Sequence, residues 1–396
     1  MVVTTGSSRW TDELLDRMRL LGDPVADTRV AAIMERGGVA AVNSVMRTLV
    51  RLEQPVPDEL PSELKDYLDE TRPLPDWADL AKINRAQQIF ETWGFLIVLC
   101  LFCASLPASY AAAKGVKVLH LTARFDTDTR RRAMETGQFL MDALTVGGLG
   151  VQGKGRRTIQ RIRLMHAAVR HLIVARNEQQ PGLWDPEWGM PISQEDLAGT
   201  LIAFSGVVVD PMVRLGVQLS DPDIDAYLHV WNVIGHLLGV RDDLLVRDVE
   251  DAVALFQAIR RRHFRASPEG QELTRALLEL LDELTPFHRF DDTIPPLIRH
   301  LIGDEIADLL DVPPSDFKDH LGWPERSASW FVAHVAGPIG RDSPRHQLIS
   351  RMAHPFGRHL VRGLFALERG GERAPFNMPD HLARGWDLSS LDEATE

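Results

Sequence analysis

The stretch "WGFLIVLCLFCASL", Trp93 to Leu106, is an unbroken run of about 14 uncharged residues inside a longer helical pattern. A bilayer-spanning helix needs roughly 20 predominantly apolar residues, and here Pro107 follows at once. The run therefore reads as a core helix covered by protein on every face, which requires a large helical body around it. From Leu80 onward that body is visible as helical periodicity over 81–106, 128–146, 155–176, 194–217, 221–239, 248–264, 267–285, 293–310 and 344–369. Turn-forming segments such as "GGLGVQGKG" (147–155) and "QQPGLWDPEWGMP" (179–191) separate these windows. Ser193 with Asp196 has the form of a helix-starting capping box. Only "KVLHLT" (117–122) alternates like a strand. The predicted fold class is all-α, one large helical domain.

The flanks differ in character. Residues 1–79 read as a helical and proline-rich lead-in, with a short helix ended by Gly22 and a second pattern interrupted at Gly37 and Gly38. Residues 80–365 form the main domain, and 366–396, rich in Gly, Pro and charge, read as a surface tail. The formal net charge of −12 gives no general field for attracting nucleic acid. Two cysteines, Cys100 and Cys103, cannot form a disulfide framework, and inside an apolar helix they read as packing. The opening "MVVTTGSSRW" lacks the pattern of a secretory signal, so the expected location is the cytoplasm, without a stable membrane span. The basic clusters "KGRRTIQRIR" (154–163) and "IRRRHF" (259–264) read as solvated helix ends. His229, His236, His263, His288, His354 and His359 show no ligand-type spacing and read as structural or surface residues.

"QRIRLMHAAVRHL", 160–172, stands apart. On a helix Arg163, His166 and Arg170 fall within a sector of about 60°, one line along one face. A neutral imidazole between two guanidiniums is unfavourable unless anions compensate them, and 155–176 contains no Asp or Glu. A flat apolar cofactor with two carboxylates and a metal, which is to say haem, matches this arrangement: imidazole on iron, arginines on the propionates. The plainer alternative is two snorkelling arginines around an ordinary core histidine. A di-iron carboxylate bundle would need Glu-x-x-His pairs, and the chain has none.

"IRLMHAAVRH" together with "LFCASLPASYAAAKGVKVL" (101–119), "LAGTLIAFS" (197–205), "WNVIGHLLGVRDD" (231–243) and "RHLIGDEIADLLDVP" (299–313) resembles the oxygenase family of bacterial latex-clearing proteins and fungal MpaB. The resemblance runs over roughly residues 80 to 320, with several segments in the expected order. It implies a globin-like helical core holding one haem b, with His166 as proximal iron ligand and Arg163 and Arg170 contacting the cofactor. It also maps the distal residues onto "RAMET": Arg132, Glu135 and Thr136, which share one helix face. Glu135 stands where the rubber enzymes carry a lysine, so the sixth iron position is expected to be vacant or water-filled. The upstream glutamate that serves them as base is missing, since 93–125 has no Asp or Glu. Glu135 is then the expected proton carrier, Arg132 the group stabilising negative charge, and Thr200 near Phe204 a second distal polar group.

The implied function is a haem-dependent oxygenase that uses O2, with an electron donor as an expected partner. The substrate would be a small apolar molecule, terpenoid, prenyl or polyketide-like, attacked by C=C cleavage. The alternatives are a haem hydroxylase or peroxygenase, or a non-enzymatic haem protein that senses gas or carries a ligand.

Overall fold

The computed structural model describes residues 9–51, 62–122, 127–215, 217–284 and 294–314. The segment 344–369 and the tail 366–396, both named from the sequence, lie outside them. Among the described residues the chain is helical, with no strand and one isolated antiparallel bridge, Ala112 to Phe264.

The helices are α1 (Asp12–Arg19), α2 (Pro24–Arg51), α3 (Ser62–Glu70), α4 (Leu80–Cys100), α5 (Leu106–Tyr110), α6 (Val116–Thr122), α7 (Thr127–Leu144) and α8 (Lys154–Gln179). They continue as α9 (Gln194–Phe204), α10 (Gly206–Arg214), α11 (Asp221–Leu237), α12 (Val249–His263), α13 (Pro268–Leu284), α14 (Ile294–Ile302) and α15 (Asp304–Leu309). Their starts follow capping chemistry. The Asp79 carboxylate accepts from the first free amides of α4. Ser193–Asp196 and Ser220–Asp223 close reciprocal capping boxes at α9 and α11.

The structure departs from the sequence reading at five places. "KVLHLT" is helical, as α6; six residues are too few for periodicity to separate strand from helix. α2 runs through Gly37 and Gly38 without a break. Pro107 does not end the apolar helix: a π-helical turn, Leu101–Ser105, joins α4 to α5. That wider turn, in which Leu106 donates to the Leu101 carbonyl, lets the helix pass a proline that has no N–H to give. The windows 194–217 and 293–310 each split, at Ser205 and at Gly303, where φ is +83°.

α4 packs along α11, while α8 lies between α2 and α7. The main core joins α4, α5, α7, α9, α10, α11 and α12 and takes in Trp10, Leu15 and Met18 from the lead-in. A second cluster, with Val30 and Ile33 of α2, Tyr67 of α3 and Leu164 and Leu172 of α8, fastens the rest of the lead-in. By length and composition Leu80–Tyr110 and Gln194–Arg214 are apolar enough to cross a membrane. In the fold, 61% and 56% of their most apolar windows are buried against protein.

Candidate active site

α7, α8, α9, α11 and α12 and the α5–α6 turn enclose a cavity of about 350 Å³. Its wall is largely apolar, with Phe139, Ile162, Leu201, Phe204, Trp231 and Phe264 among its residues. Polar groups enter at a few points: Arg132, Glu135 and Thr136 from α7, His166 from α8, Glu195, Asp196 and Thr200 from α9, and His263 from α12. An apolar pocket with a few convergent polar groups is the usual form of a small-molecule site.

His166 is half-buried and borders the cavity. Burial, reinforced by the Arg170 charge and only partly opposed by Asp23, pushes its pKa down to about 4, so the imidazole is neutral. Its Nδ1 is buried and has no hydrogen-bond partner among the described residues. No group of three or more His, Cys, Asp or Glu able to hold a metal ion occurs among the described residues. A bare ion therefore has no donor set among the described residues. A neutral imidazole on an apolar cavity, outside any such group among the described residues, suits a metal whose other ligands arrive with it in a macrocycle.

Arg163 and Arg170 correct the sequence reading. Neither lines the cavity. Arg163 makes a two-pronged pair with Asp23, 2.5 Å from Nε and 2.8 Å from Nη2. Arg170 pairs with Asp27, and its Nε and Nη2 donate to the carbonyls of Pro191 and Ile192 at 3.0 and 2.9 Å. The anions absent from α8 come from the start of α2, so nothing is left for these guanidiniums to neutralise. Their visible task is positional. Ile192 lines the cavity at φ +50°, a strained conformation for a β-branched residue, and Arg170 holds its carbonyl. Gly239, at φ +85°, lies so close that a Cβ would sit 2.3 Å from Asp23 Oδ2 and 2.6 Å from Arg163 Nε.

The α7 trio is brought together as expected. Arg132, Glu135 and Thr136 all line the cavity, with Glu135 buried and Arg132 Nη1 donating to the Leu119 carbonyl at 3.2 Å. Thr200 and Phe204 line it as well. Cys100 and Cys103 are buried thiols whose pKa values burial pushes up, to about 12 for Cys103. Two expectations change. Arg262, read as a solvated helix end, is mostly buried and ion-paired, and Arg161 is buried in the core of α8. His263, read as structural or surface, lines the cavity with Glu195. Nothing in the local spacing announces this pair, because its members sit on different helices.

Residues 87–337 match the family model described as ER-bound oxygenase mpaB/B'/Rubber oxygenase, catalytic domain. The chain is 30% identical over 312 residues to the rubber oxygenase of Streptomyces sp. (strain K30), covering 76% of this chain and 74% of that protein. Its fold matches the solved structure of latex clearing protein LCP in the closed state. The TM-score is 0.73 and the identity 26%, over 92% of this chain and 95% of that one.

Proposed function

The chain belongs to the mpaB/rubber oxygenase family, and from that premise we propose a haem-dependent oxygenase acting on a small apolar molecule in the cavity beside His166. The observation that carries the reading is His166 itself: a neutral imidazole on an apolar cavity, with no side-chain set among the described residues to hold a bare metal. In this reading His166 ligates the iron of haem b, which when bound supplies the redox chemistry with O2.

The chain's own residues do the rest. The apolar wall excludes water and seats a terpenoid, prenyl or polyketide-like substrate. Arg132 brings a fixed positive charge to the cavity, where low polarity strengthens it. Glu135 holds or accepts a proton at its carboxylate, and Thr136 offers a hydroxyl. Arg163 and Arg170, bound to Asp23 and Asp27, fix the pitch of α8 and hence the direction of the imidazole. The protein works in the cytoplasm in this reading and draws on an electron donor.

C=C cleavage is the first reaction we propose. Hydroxylation is the second, favoured by the buried carboxylate of Glu135 on the cavity wall. Product masses separate them: cleavage yields two carbonyl fragments, hydroxylation adds one oxygen. A gas sensor or ligand carrier would instead leave any turnover unchanged in Arg132→Ala and Glu135→Ala. The deciding experiment is the optical spectrum of the purified chain, oxidised and dithionite-reduced, beside His166→Ala. We expect a Soret band in the wild type that is lost or displaced in the variant. A wild-type preparation that stays colourless after hemin is added would end the haem reading.

A further inference from the structure

One edge of the α4–α11 pair is a ladder of polar contacts. Arg85 meets Asp223 at 2.8 Å, and Lys82 meets Asp225 at 2.8 Å. One turn further along α11, the backbone N–H of Asp79 donates to His229 Nε2 at 2.9 Å. The last rung is Trp77, in the strap 71–79 that joins α3 to α4. Its ring stands edge-on to both His229 and His236, with centroids 5.8 Å apart in each case. Its Nε1 points to Asp242 Oδ2 at 3.4 Å, and His236 Nδ1 lies 2.6 Å from Asp242 Oδ1.

The two imidazoles differ in their response to acid. A backbone N–H only donates, so the Asp79 contact requires a bare lone pair on His229 Nε2. A proton there removes the acceptor and turns two donors toward each other. His236 can carry a proton on Nδ1 toward Asp242 whether its ring is neutral or charged. The charged groups that bear on His229 are Asp79 and Lys82 at the start of α4 and Asp225 on α11 itself; across the Trp77 ring lie His236 and Asp242. Burial, followed by the Lys82 charge, holds the His229 pKa below its usual 6.5, and Asp79 and Asp225 oppose this only in part.

We infer that His229 is a pH-operated latch, whose protonation releases Asp79 and Trp77 from the outer face of α11. The hold is complete above the ordinary value of 6.5 and weakens as pH falls from there through the lowered one. Asp79 is also the N-cap of α4, so the latch governs where that helix begins. Trp231 lies about 200° around α11 from His229 and lines the cavity, so the latch stands behind the cavity wall. The inference is independent of what the cavity or His166 binds.

The test follows hydrogen exchange of the segment around Asp79 in the full chain, by mass spectrometry, from about pH 8 to about pH 5, with intrinsic rates corrected for pH. We expect protection to fall about three- to tenfold on acidification, the scale of one hydrogen bond. The His229 ring, assigned in NMR spectra by its absence in His229→Gln, should titrate with the same midpoint, below 6.5. His229→Gln keeps an uncharged acceptor and does not titrate, so its protection should stay high and flat; His236→Gln should keep the step. Protection that ignores pH in the wild type overturns the inference, as does a His229 ring that titrates at or above 6.5. So does a step that survives in His229→Gln or disappears in His236→Gln.

Discussion

At the scale of single residues, the charges around His166 are settled by partners far away in sequence. Asp23 and Arg163 are separated by 140 positions, so no window around "RIRLMHAAVR" could reveal that the arginines were already answered. Three basic groups on one helix face were legible; their counter-ions were not. Removing one member of a buried pair strands the other. Asp23→Ala should cost about 3–5 kcal/mol in urea unfolding, and Asp23→Ala with Arg163→Met should cost less than Asp23→Ala alone. Additive losses would mean that the pair is not coupled. Glu195 gives a pH-dependent counterpart. Burial acts to raise its pKa, but His263 and Arg262 outweigh this and hold the carboxyl below its usual 4.5. A carboxylate depressed in the folded state contributes stability that is complete above the unfolded value and disappears as pH falls through the folded one. The stability gap between wild type and Glu195→Gln should therefore narrow below pH 4.5 in thermal melts. A gap that widens on acidification would contradict the ion-pair account.

At the scale of elements, what the sequence made readable was periodicity and capping, and what it hid was breaks and crossings. The long patterns of α4, α7, α8 and α11 were visible because each carries enough turns for its apolar positions to recur. The capping box at Ser193 was visible because all of its chemistry is local. The split at Ser205 was not, nor was the passage through Pro107, because both depend on how neighbouring helices press on the chain. One such contact is between α11 and α9. A Cβ at Gly235 would meet Leu201 Cδ2 at 2.4 Å, so the two helices approach as closely as a glycine permits. Gly235→Ala should lower stability by about 1–3 kcal/mol by overpacking, checked by the urea midpoint at unchanged slope. Because Leu201 and Trp231 both line the cavity, the same variant should weaken binding of an apolar probe.

At the scale of the whole molecule, the lead-in is structurally part of the body. Trp10, Leu15 and Met18 are buried in the main core, and Asp23 and Asp27 tie α2 to the helix that carries His166. A chain begun at residue 80, the boundary that composition suggests, should fail to unfold cooperatively in calorimetry; a sharp transition would restore that boundary. The candidate site was half legible for the same reason. His166, Arg132, Glu135 and Thr136 belong to short motifs on single helices, whereas Glu195 and His263 meet only when α9 and α12 are assembled. The π-helical turn at Leu101–Ser105 also reaches beyond its own helix. It inserts one extra position, so everything after it is rotated by about 100° relative to an uninterrupted spiral. Ala108 and Ser109 reach the cavity in that altered phase. A homologue one residue shorter there would keep nearly the same composition and the same bundle, yet show its ligand a different wall, so relatives of this chain can diverge in selectivity by a single deletion far in sequence from His166.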